Sequence, residues 1–171
     1  KILYRSYDIA REGELEKQST NSLLAANLYQ ILKNQNSSGL LGNWNLNISN
    51  LYSFKCLECF PQLEILTLSP ERSFEKMKKI GATKQKKAIL AYSKLRGMYI
   101  ELDLTQGKNT VLENQEKDTF QVMTNDLGHT EVYLEKALNI LSKQDFIKEL
   151  GISVVIIEFN NEDLNEMEIV L

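Results

Sequence analysis

Leu66-Thr67-Leu68-Ser69-Pro70-Glu71 is the stretch whose reading decides the fold. An apolar run, Leu63 to Leu68, leads into it, and a charged run, Arg72 to Ile80, leaves it. The pattern predicts a buried strand, a stop and a capped helix. Ser69 suits the cap because its hydroxyl can accept backbone N–H bonds. Pro70 suits the first helical position, and Glu71 suits the positive end of the helix dipole. In barrels and open α/β sheets, the C-terminal ends of such strands carry ligands and catalysis.

Working outward toward the N-terminus, Ile2 to Ile9 alternates as a strand, and Arg11 to Asn21 is polar, a loop or short helix. Ser22 to Leu32 puts Leu24, Leu28, Ile31 and Leu32 on one helical stripe. Gly39 to Trp44 is a short strand and Leu46 to Ile48 a shorter one. Asn50 caps a helix that runs through Cys59 and stops at Pro61.

Toward the C-terminus, Phe74 to Ile80 is the helix after the central strand, closed by Gly81. Ala88 to Tyr92 is the next strand, Leu95 to Leu104 is strand or loop, and Gly107 to Asn114 is a turn region. Phe120 to Thr124 and Glu131 to Leu134 flank Asn125-Asp126-Leu127-Gly128, a hairpin signal. Leu138 to Leu150 is helical from near Ser142 and ends at Gly151. Ile152 to Phe159 is a continuous apolar strand that suits burial on both faces. Asn160 to Glu166 starts a last helix.

The expected fold class is therefore α/β: βα units with a mostly parallel sheet and an inserted β-hairpin. About five core strands fall short of the eight that close a (β/α)₈ barrel of ~250 residues. The expectation is a small open α/β domain or part of a TIM-type barrel.

The 171 residues suit one domain, 1–171. Net charge is −3, and the densest basic cluster, Lys84-Gln85-Lys86-Lys87, reads as a solvated loop. Nucleic-acid binding is not indicated. No apolar run approaches the ~20 residues of a membrane span, so no membrane is expected. The start at Lys1, with no leader pattern, suggests a fragment or a processed chain, and a cytoplasmic location is the default expectation.

Cys56 and Cys59 form a lone C-x-x-C, two ligands where a structural zinc site needs four. They read as helix-face or core thiols, with redox or iron–sulfur chemistry as the alternative. No metal site is assigned, and the cofactor is left unknown.

From Gly42 to Asp103 the order of motifs resembles the U32 peptidase family, the collagenase-like proteases and their relatives. That family has G-N at a strand end, L-N-x-x-N opening the next helix, a strand ending in S-P-E, and a strand leading to Y-G-R-x-x-L-M. Here Gly42-Asn43, Leu46-Asn47-Ile48-Ser49-Asn50, Leu68-Ser69-Pro70-Glu71 and Tyr92-Ser93-Lys94-Leu95-Arg96-Gly97-Met98 follow in that order. The family's D-x-x-G hairpin, helix and Gly-Ile strand are met by Asp126-Leu127-Gly128, one residue shorter than that pattern, by Phe146 to Leu150, and by Gly151-Ile152 to Phe159. The likeness covers about residues 38 to 163. Three departures stand out. The family's Gly/Ser-flanked cysteine set is missing, Tyr92-Ser93-Lys94 replaces Y-G-R, and Leu134 stands where Asn is frequent. Lysine in place of arginine loses a planar, bidentate donor fork.

The resemblance implies a peptidase or hydrolase acting on peptides or proteins. Some relatives serve in RNA or cofactor modification instead. The missing cysteines leave a non-catalytic binding or scaffold segment of a larger protein as the alternative. The candidate pocket at the strand ends is Asn43, Asn47, Asn50, Glu71, Lys94 and Arg96, with no catalytic residue assigned.

Each of these has a plainer reading. Glu71 is a ligand or acid/base group, or a first-turn acid serving the helix dipole. The three asparagines line a pocket, or serve turns and caps. Lys94 and Arg96 bind a phosphate or carboxylate, or form an exposed loop pair. Glu101 and Asp103 share a strand face that would suit a metal, or form a solvated edge. His129 reads as an exposed turn residue rather than a catalytic base, and Tyr4, Tyr7 and Tyr29 read as core. A partial barrel leaves apolar strand edges open, so self-association or a missing partner domain is expected.

Overall fold

The computed structural model describes residues 4–5, 23–36, 39–160 and 162–170. The chain divides into two compact units, Lys1–Leu90 with Lys143–Ile156, and Ala91–Ser142 with Ile157–Leu171.

The first unit is built on parallel strands. These are β1 (Tyr4–Arg5), β2 (Leu23–Ala25), β3 (Leu40–Gly42), β4 (Leu63–Leu68) and β5 (Lys86–Ser93), paired in that order. Between them lie α1 (Leu28–Lys33), a single 3-10 turn (Trp44–Leu46), α2 (Leu51–Leu57) and α3 (Phe74–Lys78). Leu66, Leu68, Ala88, Ile89 and Leu90 are buried, as are Ile31 of α1 and Phe54 of α2. Each fully buried leucine or phenylalanine contributes about 1.5–3 kcal/mol by leaving water. A strand that is apolar at almost every position is the signature of a sheet covered on both faces, and the second half of β5 has that burial.

The N-terminal strand expected over Ile2–Ile9 is described only at Tyr4–Arg5, and the loop or helix expected at Arg11–Asn21 lies outside the described residues, as does Tyr7. The helix expected over Ser22–Leu32 is instead a strand followed by a helix. Asn27 sits between them and accepts the Gln30 backbone N–H at 3.0 Å, so α1 starts at Leu28. Leu28, Tyr29 and Leu32 are about half exposed, and Gln30 and Ile31 face inward, which corrects the expected stripe and the core reading of Tyr29. Gln30 is tolerated there because its Oε1 accepts the Ala26 N–H at 2.6 Å.

The central strand lies at Leu63–Leu68 as expected, but Ser69 is not a helix cap. Its carbonyl accepts the Arg72 N–H at 3.3 Å, so Ser69-Pro70-Glu71-Arg72 is a turn with proline at its second position. Helix α3 begins at Phe74, after Ser73. Ile48 is not in a strand of its own. It forms a single parallel bridge to Leu68. Lys86 and Lys87 open β5 rather than lying in a loop, with Lys87 Nζ donating to the Gly81 carbonyl at 2.9 Å.

The second unit is dominated by an antiparallel sheet. Its strands are β6 (Arg96–Ile100), β7 (Thr110–Glu113), β8 (Thr119–Thr124) and β9 (Thr130–Leu134), in the order β6-β9-β8-β7. The expected hairpin is present as β8–β9, closed by Gly128 N–H to the Asn125 carbonyl at 2.9 Å. It belongs to a larger sheet, because the stretch expected to be a turn at Gly107–Asn114 contains β7. Glu101 and Asp103 lie in the turns after β6 rather than on a strand.

A short strand, β10 (Leu138–Asn139), then pairs antiparallel with Tyr92 and Ser93 at the end of β5. The helix expected from Ser142 is α4 (Gln144–Glu149), which returns the chain to the first unit. There Phe146 stacks on Phe74 with ring centroids 4.9 Å apart, and Lys78 pairs with Glu149 at 2.7 Å. Gly151, at φ +65°, ends the turn after α4. Strand β11 (Ile152–Ile157) follows and pairs with β5. It is not buried on both faces: Ser153 and Val155 are exposed, alternating with partly buried Ile152, Val154 and Ile156. The chain ends in α5 (Leu164–Val170), in the second unit.

The fold is thus mixed α/β, with a mostly parallel sheet and a separate antiparallel one. No closed barrel forms among the described residues.

Candidate functional site

The first unit holds a half-open cavity of about 420 Å³ between the start of α2 and the Arg72–Ile80 segment that follows β4. Arg72, Lys76 and Lys79 line it from the segment after β4, and Ser49, Asn50 and Tyr52 line it from the start of α2. Leu51 and Ile80 supply apolar lining. The local sequence dictates this arrangement. Ile48 bridges to Leu68, and the Ser69 N–H donates to the Ile48 carbonyl at 2.9 Å, which ties the entry to α2 to the strand end. Asn50 then caps α2 by accepting the Ser53 N–H at 2.9 Å, while Ser53 Oγ accepts the Asn50 N–H. The Ser69–Arg72 turn delivers Arg72 and α3 beside it. Crevices beyond strand C-termini are where open α/β sheets bind ligands.

Arg72, Lys76 and Lys79 are all exposed, and none is paired with a carboxylate among the described residues. Among the described residues, no acidic side chain lines the cavity. Sequence reasoning passed over these three cations as part of a charged helical run. Arg72 comes from the turn before α3, Lys76 from α3 and Lys79 from its C-cap.

Of the expected pocket residues in this unit, only Asn50 lines the cavity. Asn43 is buried and caps the 3-10 turn, accepting the Trp44 N–H at 2.8 Å and donating to Asn45 Oδ1 at 2.6 Å. Asn47 closes the same turn in the left-handed conformation, φ +49°. Gly42 has its own structural reason: a Cβ there would come within 2.7 Å of Leu46 Cδ1 and 2.8 Å of Leu66 Cδ2. Glu71 is exposed at the turn.

Lys94 and Arg96 belong to the second unit, and each is held by carboxylates. Lys94 is 4% exposed, and its Nζ donates to Glu166 at 3.0 Å. Burial works to lower the ammonium pKa, but Glu166, Glu162 and Glu135 outweigh it and the pKa is raised. Asn160 braces this group by donating to the Lys94 carbonyl at 2.9 Å and to Ser93 Oγ at 3.2 Å. Burial, reinforced by Glu162, raises the Tyr92 phenol. A lysine so neutralised is a structural ion pair and not a nucleophile at neutral pH.

Arg96 pairs with Glu131 at 3.0 Å and lies over the Tyr99 ring, 5.2 Å from its centroid. Glu131 also accepts from Tyr133 Oη at 2.5 Å and from Asn125 Nδ2 at 3.3 Å. The exposed loop pair expected of Lys94 and Arg96 is therefore corrected, and the carboxylates they bind are the protein's own. His129 is buried rather than exposed, with its Nδ1 against Tyr99 Oη. Asp103 accepts from Thr124 Oγ1 at 2.8 Å and from the Thr105 N–H at 3.0 Å, which organises the turn after β6.

Cys56 and Cys59 are exposed thiols, Cys59 donating to the Cys56 carbonyl at 3.1 Å. Helix α2 ends at Leu57, short of the expected Cys59, and two thiols do not make the four-ligand set of an iron–sulfur cluster. Among the described residues, no group of three or more His, Cys, Asp or Glu side chains could hold a metal ion. Among them also, no helix is long and apolar enough to cross a membrane. No protein-family model, curated protein or solved structure matches the chain.

Proposed function

We propose that the protein is peptidase-like, similar to the U32 family, and that it takes peptides at the cavity between α2 and the segment that follows β4. The observation that carries this reading is the position of that cavity. It is lined by Asn50, which closes the Leu46–Asn50 segment, and by Arg72, the residue after Ser69-Pro70-Glu71. The sequence of polar strand ends supports it. Gly42-Asn43 stands at the end of β3, Ser69-Pro70-Glu71 follows β4, Ser93-Lys94 stands at the end of β5, and the antiparallel strands come after. In this reading the parallel strands are part of a TIM-type barrel.

The test is incubation of the protein with denatured collagen and with a mixture of unstructured peptides, reading new chain termini by mass spectrometry. New termini that diminish with Arg72→Ala are expected. Peptides left intact and unbound at ~1 mM, an affinity of about −4 kcal/mol, sink the proposal.

A second reading, a non-catalytic binding segment, is favoured by one specific observation. Asn43, Asn47 and Asn50 all serve as caps, and Lys94 and Arg96 are satisfied internally. Binding without new termini is the outcome that selects it.

A further inference from the structure

We propose that the cavity selects acidic segments of its peptide ligand, with Arg72, Lys76 and Lys79 as the specificity-determining residues; this rests on the peptide reading above. Three cations line one cavity and, among the described residues, no carboxylate lines it, in a chain whose net charge is −3. Three other cations of the described residues are neutralised by carboxylates. Lys78, on the same helix, pairs with Glu149 and Glu75, Lys94 pairs with Glu166, and Arg96 pairs with Glu131. Glu71 and Glu75 are the nearest acids in sequence to the three cations, and neither lines the cavity. Among the described residues no carboxylate meets the positive charge there.

The rest of the lining argues for an acidic side chain rather than a bare inorganic anion. Leu51 and Ile80 offer apolar surface, and Tyr52 is 81% exposed beside them. A glutamate places its aliphatic stem on that surface and its carboxylate among the cations, whereas a hydrated inorganic ion uses only the charges. About 420 Å³ is at the low end of ligand pockets and suits one or two side chains of an extended peptide.

The experiment is fluorescence anisotropy with end-labelled Gly-Ser peptides carrying a central Glu-Glu, Gln-Gln or Lys-Lys pair. The Glu-Glu peptide is expected to bind about tenfold more tightly than Gln-Gln at low salt, with the advantage shrinking as salt rises. Combined Arg72→Gln, Lys76→Gln and Lys79→Gln removes the advantage, and Lys76→Glu turns it toward Lys-Lys. Lys33→Gln and Lys108→Gln, exposed cations away from the cavity, leave it intact.

Equal affinity for Glu-Glu and Gln-Gln overturns the inference and leaves the peptide reading standing. Displacement of Glu-Glu by inorganic phosphate at equal ionic strength, as effective as by unlabelled peptide, also overturns it. Selective Glu-Glu binding with no new termini upholds the inference and sinks the peptidase reading. Absence of binding by all three peptides overturns both.

Discussion

The two units hold their sheets together by different physics. In the parallel sheet, Leu66–Leu68 of β4 and Ala88–Ser93 of β5 are buried, and the polar Thr67 among them donates to the Gly42 carbonyl at 2.7 Å. In the antiparallel sheet, β7 is exposed throughout, and Val122 and Tyr133 are its buried apolar residues. Its order comes from side-chain networks: Glu131 with Arg96, Tyr133 and Asn125, Tyr99 with His129, and Asp103 with Thr105 and Thr124. Apolar burial is non-directional and tolerates repacking, whereas a hydrogen-bonded network loses several bonds when one member goes. The first unit should therefore yield most to lost volume, and the second to lost charge.

The largest expected effect tests the first half of that statement. Phe54→Ala removes a fully buried ring from α2 and should cost about 3–5 kcal/mol in denaturant unfolding. Next, Glu131→Ala strips three partners from one carboxylate and should cost about 2–3 kcal/mol. If Val122→Ala costs more than Glu131→Ala, the contrast between the units fails. Smaller still, Thr67→Val should cost about 1 kcal/mol, because one hydrogen bond is lost within an otherwise apolar strand.

The last prediction uses pH. The Thr124 hydroxyl, followed by the Gly107 and Thr105 groups, holds Asp103 below its usual 3.8. The Asp163 N–H, followed by Lys94, holds Glu166 below 4.5. A depressed carboxyl stabilises the fold above its unfolded pKa and loses that contribution as pH falls through the folded value. The second unit should thus loosen first on acidification below those ordinary values, with amide exchange rising in 91–142 before 23–90. Simultaneous loosening would erase the distinction.

What the sequence made legible was whatever short-range neighbours decide. The strand at Leu63–Leu68, the Asn50 cap, the β8–β9 hairpin and the Gly81 and Gly151 stops were all readable, because each depends on neighbours in sequence. The strand at Leu23–Ala25 was not, since three residues bounded by Asn27 look like the start of the helix they precede. Ser69 misled because a serine before proline fits a turn as well as a cap. At the candidate site, Asn50 was found because it is a cap beside the cavity. Arg72, Lys76 and Lys79 were missed because an exposed cation gives no local sign of whether an acid will meet it. The neutralisation of Lys94 was equally hidden, its partner Glu166 being 72 residues away.

Ser93 faces Leu138 across the antiparallel pairing of β5 and β10, so the excursion through the four-stranded sheet departs and returns at neighbouring backbone positions. A two- to five-residue hairpin loop is enough to join antiparallel neighbours. The stretch from Lys94 to Ala137 is thus a cassette with adjoining ends, one that gene fusion could trim, lengthen or exchange without lengthening the span to be bridged.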